Sequence, residues 1–116
     1  MNKWVNVGTA EDFISGLGRA VLIDGRQIAV FYCGTTKRFY ASDNMCPHKQ
    51  QMILARGIIG DKKGEPMVAC PFHKKAFSLE DGRNLQGEAL HISIYEIKEE
   101  DAKVWVSVPV DQEVAV

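Results

Sequence analysis

Two short segments constrain this chain more than anything else in it: Cys46-Pro47-His48 and Cys70-Pro71-Phe72-His73. Each carries one thiol and one imidazole, and each has proline directly after its cysteine. Proline fixes φ and has no N–H, so it stiffens a loop that must hold its donors ready in advance. There are 21 residues between His48 and Cys70. Any fold that uses all four side chains must bring two separate loops together.

Cys46, His48, Cys70 and His73 make a donor set whose chemistry can be compared with known sites. A [2Fe–2S] cluster takes four protein ligands, and two histidines can replace two cysteines on one iron. Two loops, each giving one Cys and one His, supply both irons from opposite sides. Structural zinc also accepts two Cys and two His, but its motifs usually pair cysteine with cysteine and histidine with histidine at close spacing. A Cys–His pair can also activate a nucleophilic thiol, although two such pairs with no orienting third group or oxyanion element argue against that. The cluster fits the donor set best, with zinc as the competing metal.

Around these loops the chain reads as short β segments separated by turn residues. Trp4–Val7, Ala20–Ile23, Gln27–Cys33, Phe39–Ser42, Pro66–Ala69, Ala76–Leu79, Leu90–Ile97 and Val104–Val108 are the expected strands. Asp24-Gly25 is a strong hairpin signal, and a last hairpin is expected around Glu99–Ala102. Ile53–Ala55 and Ile58–Ile59 are short apolar pieces before a turn at 61–64. Thr9 followed by Glu11 and Asp12 predicts a short N-terminal helix through about Leu17. The fold class expected is mainly β, an antiparallel sandwich or partial barrel over residues 1–116 as one domain.

Composition excludes several classes of function. With 46% hydrophobic and 25% charged residues the chain is an ordinary globular one. The net charge of −1 lacks the basic excess of a nucleic-acid binder. No apolar run is long enough to span a bilayer, and the first residues lack a secretory signal. A cytoplasmic setting follows, in which three cysteines read as ligands or buried thiols rather than a disulfide framework. Charge is unevenly spread: residues 45–75 are rich in lysine, whereas 96–116 are rich in Asp and Glu.

The Cys-x-His and Cys-x-x-His pattern on short hairpins resembles the Rieske iron–sulfur domain. The segment from Arg56 to Leu79, through Gly57-Ile58-Ile59-Gly60 and Cys70-Pro71-Phe72-His73-Lys74-Lys75-Ala76-Phe77, is more particular. It is similar to the small subunit of bacterial NAD(P)H-dependent assimilatory nitrite reductase, with support from Trp4-Val5-Asn6-Val7 and Gln27–Phe31. The resemblance implies a Rieske-type [2Fe–2S] cofactor in a cluster-binding part at about 44–82, made of two hairpin loops. It implies an electron-transfer subunit, not catalytic alone, whose partner is a large flavin- and sirohaem-bearing subunit that reduces nitrite to ammonium. This chain has no G-x-G-x-x-G after a strand for a nicotinamide or flavin. A Rieske ferredoxin of an aromatic-ring oxygenase shares the same ligands, and a cluster-free or zinc-bound structural subunit is the alternative of another class.

Other conspicuous residues have plainer explanations. Cys33 ends an apolar strand as a small hydrophobe. His91 is expected on the solvent face of a strand, Met45 and Met52 as packing over the cluster, and Trp4 and Trp105 as core or edge aromatics. Lys49, Lys74 and Lys75 form a candidate docking rim for an acidic partner. High-potential Rieske proteins, as the resemblance implies, carry a disulfide whose positions are here Gln51 and Phe72, and Ser and Tyr hydroxyls where this chain has Lys75 and Phe77. Hydrogen bonds to sulfur raise the potential. Potentiometry is therefore expected to return a value at the low end of the roughly −150 to +300 mV Rieske range; a value near the top contradicts it.

Overall fold

A computed structural model describes residues 2–34, 36–47, 51–62, 64–71 and 75–109. Twelve strands, all paired antiparallel, make up the bulk of it: β1 (Asn2–Thr9), β2 (Gly18–Ile23), β3 (Arg26–Cys33), β4 (Arg38–Asp43), β5 (Met45–Cys46), β6 (Gln51–Met52), β7 (Ile58–Lys62), β8 (Glu65–Ala69), β9 (Ala76–Ser78), β10 (Ile94–Tyr95), β11 (Ile97–Glu100) and β12 (Lys103–Pro109). They form a sheet β1-β12-β11, a sheet β10-β4-β3-β2, the pair β5-β6, and a sheet β7-β8-β9. None closes into a barrel among the described residues. No helix of the described residues is long and apolar enough to cross a membrane.

The central strand is β3, because its alternation places apolar side chains on both faces. Ile28 and Val30 join Ala41, Tyr95, Val104, Val106 and Val108 in one core, between the two larger sheets. Ala29 and Phe31 turn the other way and join Leu54, Val68, Phe77, Leu79, Ile92 and the two cysteines Cys46 and Cys70 in a second core. Ile28 through Phe31 are fully buried, which explains why that strand reads as a continuous apolar run. One core therefore builds the sandwich, and the other attaches the ligand-bearing sheets to it.

The turns expected from the sequence close their hairpins with the backbone such turns require. Asp24 and Gly25 have φ of 51° and 81°, and Asp101 and Ala102 have 56° and 63°. Positive φ at both central positions marks the type I′ turn, whose twist matches the flanking strands. The β7–β8 hairpin pairs Ile58 with Ala69 and Lys62 with Glu65.

Two expectations are corrected. The N-terminal helix shrinks to a single 3₁₀ turn, Ala10–Asp12. The start signal works, since Asp12 Oδ2 accepts the Thr9 N–H at 2.9 Å. There is no apolar stripe to continue it: Phe13 is buried, but Ile14 and Leu17 are 65% and 58% exposed. The turn ends at Phe13, whose backbone is extended, and Gly16, at φ 83°, donates its N–H to the Tyr32 carbonyl. The single strand expected over Leu90–Ile97 is also broken, because the segment changes neighbours. Ile92 N–H donates to Gly82 O, Ile94-Tyr95 pairs with β4, and Ile97 begins the strand beside β12. Alternation of apolar residues reports burial, not which strand lies alongside.

The β8–β9 hairpin is braced by a charged cluster. Arg83 reaches both oxygens of Glu65 (2.6 and 2.8 Å) and Asp81 Oδ2 (2.7 Å), while Ser78 Oγ donates to Glu65 at 2.6 Å. The Arg83 guanidinium, then the Ser78 hydroxyl, hold the Glu65 carboxyl below its ordinary value. The Arg83 backbone N–H, and then its guanidinium, do the same for Asp81. Carboxylates with depressed folded pKa values stabilise the fold above their unfolded pKa, and this contribution is lost as pH falls through the folded values. Thermal melts of Arg83→Met are expected to lie below wild type at pH 7. That gap closes as pH drops below the ordinary carboxylate range.

Candidate metal centre

Both ligand loops grow from strand ends and are pinched at their necks by the backbone. Cys46 pairs with Gln51 across β5–β6. Cys70, just past β8, donates its N–H to the Lys75 carbonyl at 2.9 Å. In each case the cysteine stands at the entrance and the neck closes five residues later, enclosing 47–50 and 71–74. Pro47 and Pro71 are the first residues inside. The matched geometry explains why Cys-x-His and Cys-x-x-His can serve the same end. Each loop leaves its neck with a cysteine, and one histidine follows it in the sequence.

The two thiols lie in the same buried core, Cys46 at 0% and Cys70 at 1% exposure. None of the three cysteines is joined in a disulfide. His48 and His73, with Lys49, Phe72 and Lys74, lie outside the described residues, and no cluster of three metal-ligating side chains occurs among those described. What is described fits a [2Fe–2S] group by its chemistry: two buried thiols on opposed loop necks, each followed within the loop by a histidine in the sequence.

Asn44 supports the first neck, and nothing in the sequence analysis singled it out. It is 3% exposed. Its Oδ1 accepts the Ala55 N–H at 2.7 Å, its carbonyl accepts the Leu54 N–H at 2.9 Å, and its Nδ2 donates to Gln27 Oε1 at 3.0 Å. Asn44 thereby ties β3 to the 3₁₀ turn Leu54–Arg56, on either side of the loop that starts at Cys46. That turn sits close against its surroundings. A Cβ on Gly57 would run into the Ala69 carbonyl and Val68, and one on Gly18 into the Ala55 carbonyl and Phe31. The signal in the sequence was an Asn two residues ahead of a candidate ligand cysteine.

The second neck has a clasp formed by residues 84–88. Asn84, 6% exposed, accepts the N–H groups of Gln86 (2.8 Å) and Glu88 (3.1 Å) on its Oδ1. Gln86 Oε1 accepts the Ala76 N–H at 3.1 Å, and Leu85 N–H donates to the Ala76 carbonyl at 2.8 Å. Glu88 Oε2 meets Lys75 Nζ at 2.8 Å.

The secondary candidates sort themselves by position. Lys75 is paired with Glu88, so it is not the open rim charge expected. Phe77, where high-potential relatives are expected to place a Tyr, is fully buried. Met45 and Met52, expected as packing over the cluster, pair across β5–β6 and are 38% and 50% exposed. A two-strand pair leaves one face open to water. Cys33 is half-buried and lines a cavity of about 340 Å³ between Ser15-Gly16 and the β7–β8 hairpin. His91 is exposed, as expected, though in a lone bridge to Arg83 rather than a strand. Trp4 is an exposed edge aromatic with Lys98 Nζ 4.5 Å from its ring centroid.

Comparison with known proteins gives the family. The model of the Rieske-like [2Fe-2S] domain matches residues 3–107. The nitrite reductase (NADH) small subunit of Salmonella typhimurium is 31% identical over 104 residues, covering 90% of this chain and 96% of the relative. A stretch of the nitrite reductase [NAD(P)H] large subunit of Klebsiella oxytoca is 41% identical over 81 residues, 70% of this chain but 8% of that protein. The NMR structure of the E. coli protein NirD superposes with a TM-score of 0.84 at 27% identity, covering 95% of this chain and all of that one.

Removing the Asn44 amide orphans a buried backbone donor, which costs about 1–3 kcal/mol. Asn44→Ala is expected to lose that much stability in denaturant melts and to bind less iron per chain. Iron content and stability equal to wild type would contradict the role given to Asn44.

Proposed function

We propose that this chain, which belongs to the Rieske-like [2Fe-2S] domain family and within it to the small subunits of NADH nitrite reductase, relays electrons to a larger catalytic subunit. The observation that carries the proposal is the pair of matched necks, each beginning with a buried cysteine of the donor set. In it Cys46 and Cys70 supply thiolates to one iron, and His48 and His73 supply imidazoles to the other. When bound, such a cluster takes up and returns one electron at a time.

The chain's own residues contribute rigidity and exclusion of water. Leu54, Val68, Phe77 and Leu79, all fully or nearly fully buried, pack in the core that holds both thiols. An apolar, rigid surround reduces the reorganisation that accompanies a change of charge. The Asn44 tie and the 84–88 clasp hold the necks from outside the ligand set. The proposal places reduction of nitrite on the large subunit.

The partner in this proposal is a large nitrite reductase subunit carrying flavin and sirohaem. It is supported by the Salmonella relative, a named small subunit, and by the similar stretch inside the Klebsiella large subunit. Residues 1–116 act as one domain in this scheme. A cytoplasmic setting fits three cysteines of which none is in a disulfide. The ring-oxygenase ferredoxin is the weaker alternative: such ferredoxins superpose over most of the chain but at only 22–23% identity, which speaks for the shared fold alone, whereas the Salmonella small subunit aligns end to end at 31%.

Co-expression with the large subunit is expected to give a complex in which NADH bleaches the visible absorption of the small subunit within the turnover time. Cys70→Ser is expected to abolish that bleaching. Failure of the wild-type pair to associate, or of NADH to reduce the small subunit in the complex, would overturn the proposal.

A further inference from the structure

We infer that Glu88 is a positioning residue for the electron-transfer site: it holds Lys75 in an ion pair and thereby cancels that lysine's pull on the potential of the group the loops carry. The inference rests on the [2Fe–2S] reading proposed above.

Lys75 occupies a singular place. Its carbonyl closes the neck of the second ligand loop by accepting the Cys70 N–H, and His73 is two residues before it. A lysine on this neck favours the reduced state, because reduction adds one negative charge to a site of two thiolates and two neutral imidazoles. Left alone it would raise the potential. Here its ammonium is 2.8 Å from Glu88 Oε2, and the pair together is neutral.

The other lysine pairs among the described residues show why this one differs. Lys3–Asp24 and Lys98–Glu100 join side chains that are all 40% exposed or more. Lys75 is only 23% exposed. Its carboxylate partner is also anchored: the Glu88 N–H is held by the buried Asn84, which holds Gln86 as well, and Gln86 in turn accepts the Ala76 N–H. The backbone on both sides of the ion pair is thus fixed by bonds that do not depend on charge. Exposed ion pairs contribute about 0–1 kcal/mol to stability, so stability alone gives little reason for such an arrangement. An uncompensated charge beside a one-electron site has a larger consequence, since a tenfold change in the reduced-to-oxidised ratio corresponds to about 59 mV.

The test is EPR-monitored potentiometry on cluster-loaded protein, with thermal melts run on every variant. Glu88→Gln frees the lysine charge and is expected to raise the reduced-to-oxidised ratio at fixed ambient potential about threefold, or about 30 mV. Lys75→Gln leaves a lone carboxylate and is expected to lower it by a similar factor. The double variant returns to the wild-type value, as does the swapped pair Lys75→Glu with Glu88→Lys, and Glu88→Asp stays near wild type. Both single shifts shrink at high salt. Shifts of the same sign, or loaded and folded variants with unchanged potentials, overturn the inference while leaving the cluster in place. If a single variant melts early, the swapped pair decides: a loaded, stable swap whose potential stays displaced also overturns it. A wild type that shows no reduced-cluster signal overturns the [2Fe–2S] reading and this inference with it.

Discussion

Backbone closure of the two loop necks is the constraint on which the rest of the site depends. A ligand loop of four residues left to itself would cost conformational entropy of roughly 1–2 kcal/mol per residue to order. Here the scaffold joins the ends of each loop, because Cys46 pairs with Gln51 across β5–β6 and Cys70 donates its N–H to the Lys75 carbonyl. The strands that supply those bonds are held in turn by the core around Phe31, Leu54, Val68 and Phe77. Placement of the two thiols is thus a property of the β scaffold, and in the sequence a proline directly follows each of them.

Much of this was legible in the sequence, because its strongest signals are local. Asp24-Gly25 demands a type I′ turn, alternation around β12 separates Val104, Val106 and Val108 from their neighbours, and the two Cys-Pro pairs stand out against a β pattern. What escaped was set by distant partners. Thr9 and Asp12 start a helix by local rules, yet only Phe13 found a core to enter. The run from Leu90 to Ile97 alternates well and still belongs to three different neighbours. Asn44 and Asn84 look like ordinary turn residues until the backbone donors they satisfy come into view. The ligand set was visible as chemistry, whereas the braces around it were visible only as geometry.

The electrostatics also changed with the structure. Of the lysine rim suggested by the sequence, Lys75 is matched by Glu88, whereas Lys49 and Lys74 lie outside the described residues; Arg83 is paired with Glu65 and Asp81. Acidic residues of the last hairpin, Glu99, Glu100 and Asp101, remain exposed. At Lys75 and Arg83, formal charge along the chain overstates the field a partner meets, because neighbouring segments return carboxylates to these two side chains. Specific pairs, more than net charge, decide what reaches the ligand loops.

The central claim is that two matched Cys/His loops hold one [2Fe–2S] cluster with mixed sulfur and nitrogen ligation. Pulsed EPR on the anaerobically reconstituted, dithionite-reduced protein tests it most directly. The account predicts a rhombic signal with couplings from two imidazole nitrogens. A colourless, EPR-silent protein, or a signal with no nitrogen coupling, would contradict it.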